Sequence, residues 1–402
     1  GYGCVGQGFV QLLKDNPSVD AEISKVCVKH KNKARPGLTG EVVYEPDLIL
    51  DDAEISIIVE LIDDAQAAFE IVAKAIRQGK KVISANKKMI AENLEVLEEL
   101  QKEFDGRILY EGAVCGSIPI IGSLRNYYRY SNIISINGIF NGSTNYILTK
   151  VIDEKLSYEE ALQQAKENGF AESDPSLDVG GYDPSFKLSI LIRHCFDTII
   201  DPDDILRIGI EQISKADVKF AEENSLKIKL IAHAEISNGL IRARVTPQFV
   251  DSSSQYASVE AEYNAVEVSS EAYGQQLLVG KGAGKLPTGL AVLSDVAASL
   301  NSSFKLEEKR KAQVDKTQFI EVYVGYDSTI KIDWSYFSSL KEKYIGHNYS
   351  HTIGLINVKE LSKFAYKYPE ASIILTSGQE KENGLSRLTY NNTTVTTQVG
   401  IT

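Results

Sequence analysis

Between residues 1 and 132, apolar positions switch between two spacings. Apolar runs of strand length stand at Lys25-Val26-Cys27-Val28, at 55–61, at Lys81-Val82-Ile83-Ser84 and at Ile108-Leu109-Tyr110. Between them, apolar residues recur every three or four positions, over 6–13, over 65–78 before Gly79, and over 92–104 before Gly106. A glycine just past the last periodic residue is a common helix stop. Strands separated by helices of this length predict an α/β unit with a doubly wound parallel sheet and right-handed crossovers.

The pattern then changes. Ile133 to Phe140 is strand-like and ends at Asn141-Gly142, and helical stretches follow at 146–154 and 158–168. A long polar loop runs from Gly169 to Asp183, and a helix is predicted from Pro184 to Cys195. Strand-like runs return at 226–236, 240–250 and 261–268, so residues 133–284 read as a separate α+β unit. A glycine-rich segment, Gly280 to Gly284, precedes a helix through Leu300; residues 285–305 are expected to complete the first unit. A charged linker is expected at 307–316. A small α+β unit over 317–402 follows: strand 318–324, helix 334–344, strand 351–356, helix 360–366 and strand 372–376.

Composition removes some functions. The 402 residues are 43% hydrophobic and 24% charged, ordinary for a globular chain. The net charge of −12 argues against nucleic acid as a partner, since such proteins carry a basic face. No run reaches the roughly 18 apolar residues that read as a membrane helix, so no membrane partner is expected. Cys4, Cys27, Cys115 and Cys195 form no CxxC pair, which fits a reducing compartment. An acidic, signal-free chain fits the cytoplasm.

The candidate chemistry starts at residue 1. Gly1, Gly3 and Gly6 fit G-x-G-x-x-G, a turn that brings backbone close to a pyrophosphate at a helix N-terminus. A glycine turn without a ligand has the same letters. Such a turn follows a strand, so an apolar strand is expected to precede Gly1 in the intact gene product, and a 1–402 chain without it is expected to bind NADP poorly. An acid ending the second strand would bind a ribose hydroxyl. Here Lys29, His30, Lys31, Lys33 and Arg35 stand instead, which favours a 2′-phosphate, and hence NADP, or else is a solvated basic turn.

Lys87 follows the strand 81–83, where open α/β sheets bind their ligands, although a lone lysine there is more often on the surface. In the loop, Asp183-Pro184 reads as a helix N-cap with proline at the first helical position, putting Lys187 on the first turn. Burial and the positive helix end would lower its pKa, and Asp183 would oppose that. The bland alternative is an exposed Asp183–Lys187 pair. Glu172, Asp174, Asp178 and Asp183 together suit a substrate ammonium, a cation, or plain solvation.

These segments together resemble homoserine dehydrogenases. The resemblance rests on Gly1–Gly6, Ala85-Asn86-Lys87, Asn141-Gly142-Ser143-Thr144-Asn145-Tyr146-Ile147-Leu148, the run Glu172 to Lys187, and Gly280 to Thr288. It covers about residues 1–310. It implies a Rossmann-type fold, a catalytic and dimerisation unit, a homodimer, and NAD(P)-dependent interconversion of L-homoserine and L-aspartate 4-semialdehyde. By resemblance, Lys187 is the acid/base and Lys87 lies beside nicotinamide and substrate. Glu172, Asp183, Asp178 and Thr144 hold the substrate. Gly1, Gly3, Cys4, Val5, Gly6, Lys29, Ile62, Lys87, Gly169, Gly282 and Gly284 line the cofactor. Glu111, Val114, Gly116 and Ile118 match a monovalent-cation (sodium) segment, in which Cys115 and Ser117 depart from the usual small residues. The C-terminal unit resembles a regulatory ACT domain loosely, with Val324 to Thr329 where that fold has a Pro-Gly-Val-Leu-like turn. Two rivals stand beside this reading: another NAD(P)-dependent amino-acid oxidoreductase, and a cofactor-binding module without catalysis.

Overall fold

The structure, a computed structural model, describes residues 1–31, 35, 37–301 and 312–376. Lys33, part of the expected 307–316 linker and residues 377–402 of the expected C-terminal unit lie outside the described residues.

Helix α1 (Cys4–Asp15) starts directly after Gly3. Strands β1 (Lys25–Cys27) and β2 (Glu41–Val43), helix α2 (Asp47–Leu50), β3 (Ile57–Glu60), α3 (Ala65–Arg77), β4 (Lys81–Ser84), α4 (Lys87–Glu103) and β5 (Arg107–Leu109) follow. All pairings here are parallel, as the alternating pattern predicts, but they form two sheets: β1-β2 and β3-β4-β5. A cavity of about 970 Å³ lies between them, lined by Val26, Val28, Ile57, Val59 and Leu61 among others. Helix α4 begins five residues before the apolar spacing predicts. Asn86 caps it, its side chain accepting the Met89 N–H at 2.9 Å, and Lys87 and Lys88 fill the first turn.

Next come α5 (Ile120–Asn126), β6 (Ile133–Ile139), α6 (Gly142–Asp153), α7 (Tyr158–Glu167), α8 (Ser176–Val179), α9 (Tyr182–Phe196), β7 (Leu206–Arg207) and α10 (Lys215–Glu223). Strands β8 (Leu226–Ser237), β9 (Leu240–Asp251), β10 (Tyr263–Ser270) and β11 (Gly274–Lys281) build the sheet beside β6. The loop expected over 169–183 contains α8, and β11 went unforeseen because Gly274-Gln275-Gln276 hides its apolar core. Helix α11 (Lys285–Asn301) returns to the first unit and packs against α1 at glycines. A Cβ on Gly8 would lie 1.9 Å from the Lys285 carbonyl oxygen, and one on Gly289 2.8 Å from Gly8 backbone. Val292, Leu293 and Val296 join Phe9, Ile83 and Leu109 in one apolar cluster.

The C-terminal unit consists of β12 (Gln313–Val314), β13 (Phe319–Asp327), β14 (Phe337–Ile345), β15 (Tyr349–Asn357), α12 (Val358–Lys367) and β16 (Ser372–Leu375). The helix expected over 334–344 is a 3-10 turn at Trp334–Tyr336 followed by strand. Phe337, Leu340 and Tyr344 imitate helical spacing, but β14 lies at the sheet edge with only Phe337 buried. Its Lys341, Glu342 and Lys343 suit an exposed edge, where charges discourage pairing with another chain. Among the described residues a single 3-10 turn, Trp334–Tyr336, and no α-helix separates β13 from β14, so the order departs from β-α-β-β-α-β.

One sheet joins the two later units, in the order β11-β10-β6-β8-β9-β16-β13-β15-β14. Strand β9 pairs antiparallel with β8 and, at Gln248, parallel with Leu375 of β16. Beside this seam the fully buried Asp217 of α10 accepts hydroxyl hydrogen bonds from Tyr349 and from Ser372, the latter at 2.9 Å.

Candidate active site

The N-termini of α4 and α9 meet. Helix α9 is not capped by Asp183, as Asp-Pro predicts; its N-cap is Gly181, at φ 79°. A left-handed backbone costs other residues strain, and a Cβ there would meet Val245 at 3.2 Å. The glycine turn leaves Asp183 inside the first turn, buried, with its carboxylate spent on side chains instead of backbone amides.

That carboxylate holds both candidate lysines. Lys187 Nζ donates to Asp183 Oδ2 and to the Phe140 carbonyl, each at 2.7 Å. Lys87 Nζ lies 2.6 Å from Asp183 Oδ1. The Lys187 side chain is 8% exposed, which rejects the surface-pair alternative. Burial alone would raise the Asp183 pKa, but the charges of Lys187 and Lys87, with their hydrogen bonds, outweigh it and hold the carboxyl below the usual range. The charge of Asp183 in turn raises Lys87 above an ordinary lysine, against the effect of burial.

Asn141, which the resemblance marks only as part of a motif, is central. As N-cap of α6 its side-chain oxygen accepts the Thr144 N–H at 2.8 Å. Its amide nitrogen donates to Asp178 at 2.7 Å and to Asp183 at 2.8 Å. The signal for it was the N-G-S-T run after a strand. Burial, with Asp183 close by, raises the Asp178 pKa. Thr144 is buried beneath this contact, with its hydroxyl 3.2 Å from the Asn141 carbonyl. Glu172 is exposed and reaches the group through its charge, adding to Asp183 and Asp178 in raising Lys87.

The glycine loop borders the same region. A Cβ on Gly1 would lie 2.5 Å from the Leu61 carbonyl oxygen, and one on Gly6 2.3 Å from that of Gly1, whereas Gly3 faces open space. The first helical bond is Gln7 N–H to Gly3, so the amides of Cys4, Val5 and Gly6 sit in the anion-favouring first turn. Ile62 is tied to the lysine segment, because Asn86 Nδ2 donates to its carbonyl at 3.0 Å and Ile62 N–H donates to Glu60 at 2.6 Å. Lys29 is exposed just beyond β1, and Lys31 lies 4.9 Å over the Tyr44 ring.

Two loops come together behind the lysines. Gly116 backs onto Gly282, where a Cβ would lie 2.7 Å from its carbonyl, and Ser117 N–H donates to Lys281 at 3.0 Å. Gly284, at φ 127°, opens α11, and Gly169, at φ 75°, ends α7 facing open space. The Glu111 carboxylate accepts Ile121 N–H at 2.9 Å and Gly122 N–H at 2.6 Å, so it serves the start of α5. Asp295 on α11, which no local motif marks, accepts the Glu111 N–H at 2.7 Å. Burial pushes its carboxyl up to about 7.

Buried charges and an open glycine turn, joined at two helix N-termini, suit a small polar substrate beside a dinucleotide. Comparisons with known proteins agree. The family model described as homoserine dehydrogenase matches residues 119–297, and the model for the homoserine dehydrogenase NAD binding domain matches 1–111. The chain is 37% identical to a Lactococcus lactis homoserine dehydrogenase over 308 residues, covering 74% of this chain and 72% of that one. It is 35% identical to the Bacillus subtilis enzyme over 314 residues, 75% and 72% of the two chains. Among solved structures, a Thiobacillus denitrificans homoserine dehydrogenase superposes with a TM-score of 0.82 at 26% identity, over 93% of this chain and 96% of that one. A hyperthermophilic archaeal homoserine dehydrogenase in complex with NADPH superposes with a TM-score of 0.63 at 26% identity, over 75% and 97%.

Proposed function

The chain belongs to the homoserine dehydrogenase family, and from that premise we propose how its own residues divide the work. The family reaction is NAD(P)-dependent oxidation of a CH–OH group, interconverting L-homoserine and L-aspartate 4-semialdehyde. The nicotinamide cofactor, when bound, takes or supplies the hydride. Lys187 moves the proton: it takes it from the homoserine hydroxyl and returns it to the aldehyde oxygen in the reductive direction. Phe140 and Asp183 accept hydrogen bonds from two of its N–H groups, which leaves the third position of the nitrogen, a lone pair when it takes the proton and an N–H when it returns it, for the substrate oxygen. Lys87 polarises that oxygen, a fixed cation at a developing alkoxide being a large catalytic effect. Asp178 and Glu172 take the substrate ammonium. Asp183 orients both lysines, and Thr144 holds Asn141 against the two acids. The observation that carries the reading is one buried carboxylate gripping two lysines, from two helix N-termini. Mixing the protein with NADPH and aspartate semialdehyde should deplete the reduced-cofactor absorbance band. Turnover that requires ammonia instead, or binding without turnover, overturns it.

NADP is the proposed preferred cofactor, with Cys4, Val5 and Gly6 amides on the pyrophosphate and Lys29 at the 2′-phosphate. The openness at Gly3 and the lack of an acid after β1 support this. Replacing Lys29 with alanine should raise KM for NADPH about tenfold and leave KM for NADH within twofold. Equal effects on both cofactors would place Lys29 away from the phosphate. A monovalent cation fits the 114–118 loop through backbone oxygens: among the described residues, the Val114 and Gly116 carbonyls accept no backbone hydrogen bond. Ile118 fits less well, its carbonyl already accepting the Ile120 N–H at 2.7 Å, and the Glu111 carboxylate is committed to α5. We further propose a homodimer on the large sheet, supported by the exposed Val279 of edge strand β11, and a division at 1–132, 133–284 and 317–402. No helix among the described residues is long and apolar enough to cross a membrane. The four free thiols support a cytoplasmic setting.

A further inference from the structure

Helices α4 and α9 touch at a second level. Glu98 of α4 and Arg193 of α9 form an ion pair, Nε to Oε1 at 2.5 Å, with both side chains 6% exposed. Lys87 and Asp183 form the first contact on the same two helices. Eleven residues on α4 and ten on α9 separate the two levels, about 16 Å and about 15 Å of helix. The near-equal spans mean that the helices run side by side in the same direction, pinned at both levels by opposite charges.

Between those levels α4 buries Ile90, Leu94 and Leu97 and α9 buries Ile190 and Leu191, while the buried polar groups of α9, Ser185, Lys187 and Ser189, bond within α9 or to Phe140 and not to α4. Apolar packing sets how closely two helices approach but constrains axial sliding weakly, whereas a charge-assisted hydrogen bond fixes direction. A buried ion pair is a poor source of stability compared with apolar residues of the same volume, and its best-attested use is to set register. Arg193 also reaches Asp197 one turn further on, at 3.2 Å, which anchors the guanidinium within α9. The pair also bridges the two family-model segments, since α4 lies in one and α9 in the other.

We propose that Glu98 and Arg193 form a register clasp. They hold α4 at the height along α9 that lets Lys87 reach Asp183, and so are positioning residues for the reaction. The inference rests on the reading that Lys87 and Asp183 act in that reaction.

The test is a double-mutant cycle. Glu98→Gln and Arg193→Lys are each made in the native chain and in a Lys87→Ala chain, with fold checked by thermal melting. If the clasp acts through Lys87, each variant lowers kcat/KM for homoserine about tenfold in the native chain and less than twofold beside Lys87→Ala, with KM for the cofactor within twofold throughout. An equal fall in both backgrounds, or native kinetics in a folded clasp variant, overturns the proposal. Arg193→Lys keeps the charge while losing the fork, and gives the same comparison if Glu98→Gln does not fold. An unchanged kcat in Lys87→Ala alone overturns the catalytic reading of Lys87, and the clasp with it.

Discussion

Lys187→Ala is expected to lower kcat by about 10²-fold or more in both directions, the usual worth of a positioned acid/base. KM for the cofactor should hold, because the lysine lies on α9 and contacts Asp183 and Phe140, not the glycine turn. The loss should be no smaller in Lys187→Arg, since a guanidinium stays protonated and cannot accept the hydroxyl proton. Steady-state rates with homoserine and NADP, and with semialdehyde and NADPH, check this. A folded Lys187→Ala protein with native kcat removes the residue from proton transfer.

Asp183→Asn should be as damaging, for a different reason. The carboxylate is the counter-charge shared by two ammonium groups and one amide donor. Taking one partner from a buried pair costs about 3–5 kcal/mol of stability, because a charge is left uncompensated. Activity should fall about 10²-fold through kcat and the homoserine KM together. The pH dependence follows from the signs. Asp183 is held below the usual carboxylate range, so its stabilisation is complete above that range and is lost as pH falls through its folded value. The variant should lack that acid-side loss in thermal melts. Lys87 is raised mainly by Asp183, so in the variant it should lose its proton at lower pH, moving the alkaline limb of kcat/KM downward. An unmoved limb would mean that Asp183 does not govern Lys87.

Much of this was legible in the order of residues. The strands at 25–27, 57–60 and 81–84 are short apolar runs between periodic stretches, and local pattern suffices for them. The lysines and acids could be placed because they follow a strand or open a helix. What failed depended on distant partners. Asp183-Pro184 carries a good local capping signal, but Gly181 caps α9 and frees Asp183 for Lys87, 96 positions away in the chain. Phe337 to Ile345 has helical spacing, and only its pairing with β15 makes it a strand. Glu111 was assigned to a cation on resemblance, while the amides of Ile121 and Gly122 claim its carboxylate. Asp295 and the Glu98–Arg193 pair have no local signal, since each matters only through a residue far along the chain.

The sheet that runs from β11 to β14 has a mechanical consequence. Phe140 and Asn141, which hold Lys187 and Asp183, stand at the end of β6, and β6 reaches the C-terminal unit through β8 and β9. The Gln248–Leu375 pair, the two β12–β9 pairs and the buried Asp217 carboxylate make that junction part of the sheet. Anything that pressed on the C-terminal unit would be felt at the lysines only as bending of a shared plate. For the same reason that unit is no detachable appendage: cutting it away would uncover β9 at Gln248 and leave Asp217 with Ser214 alone, its Tyr349 and Ser372 hydroxyl partners gone.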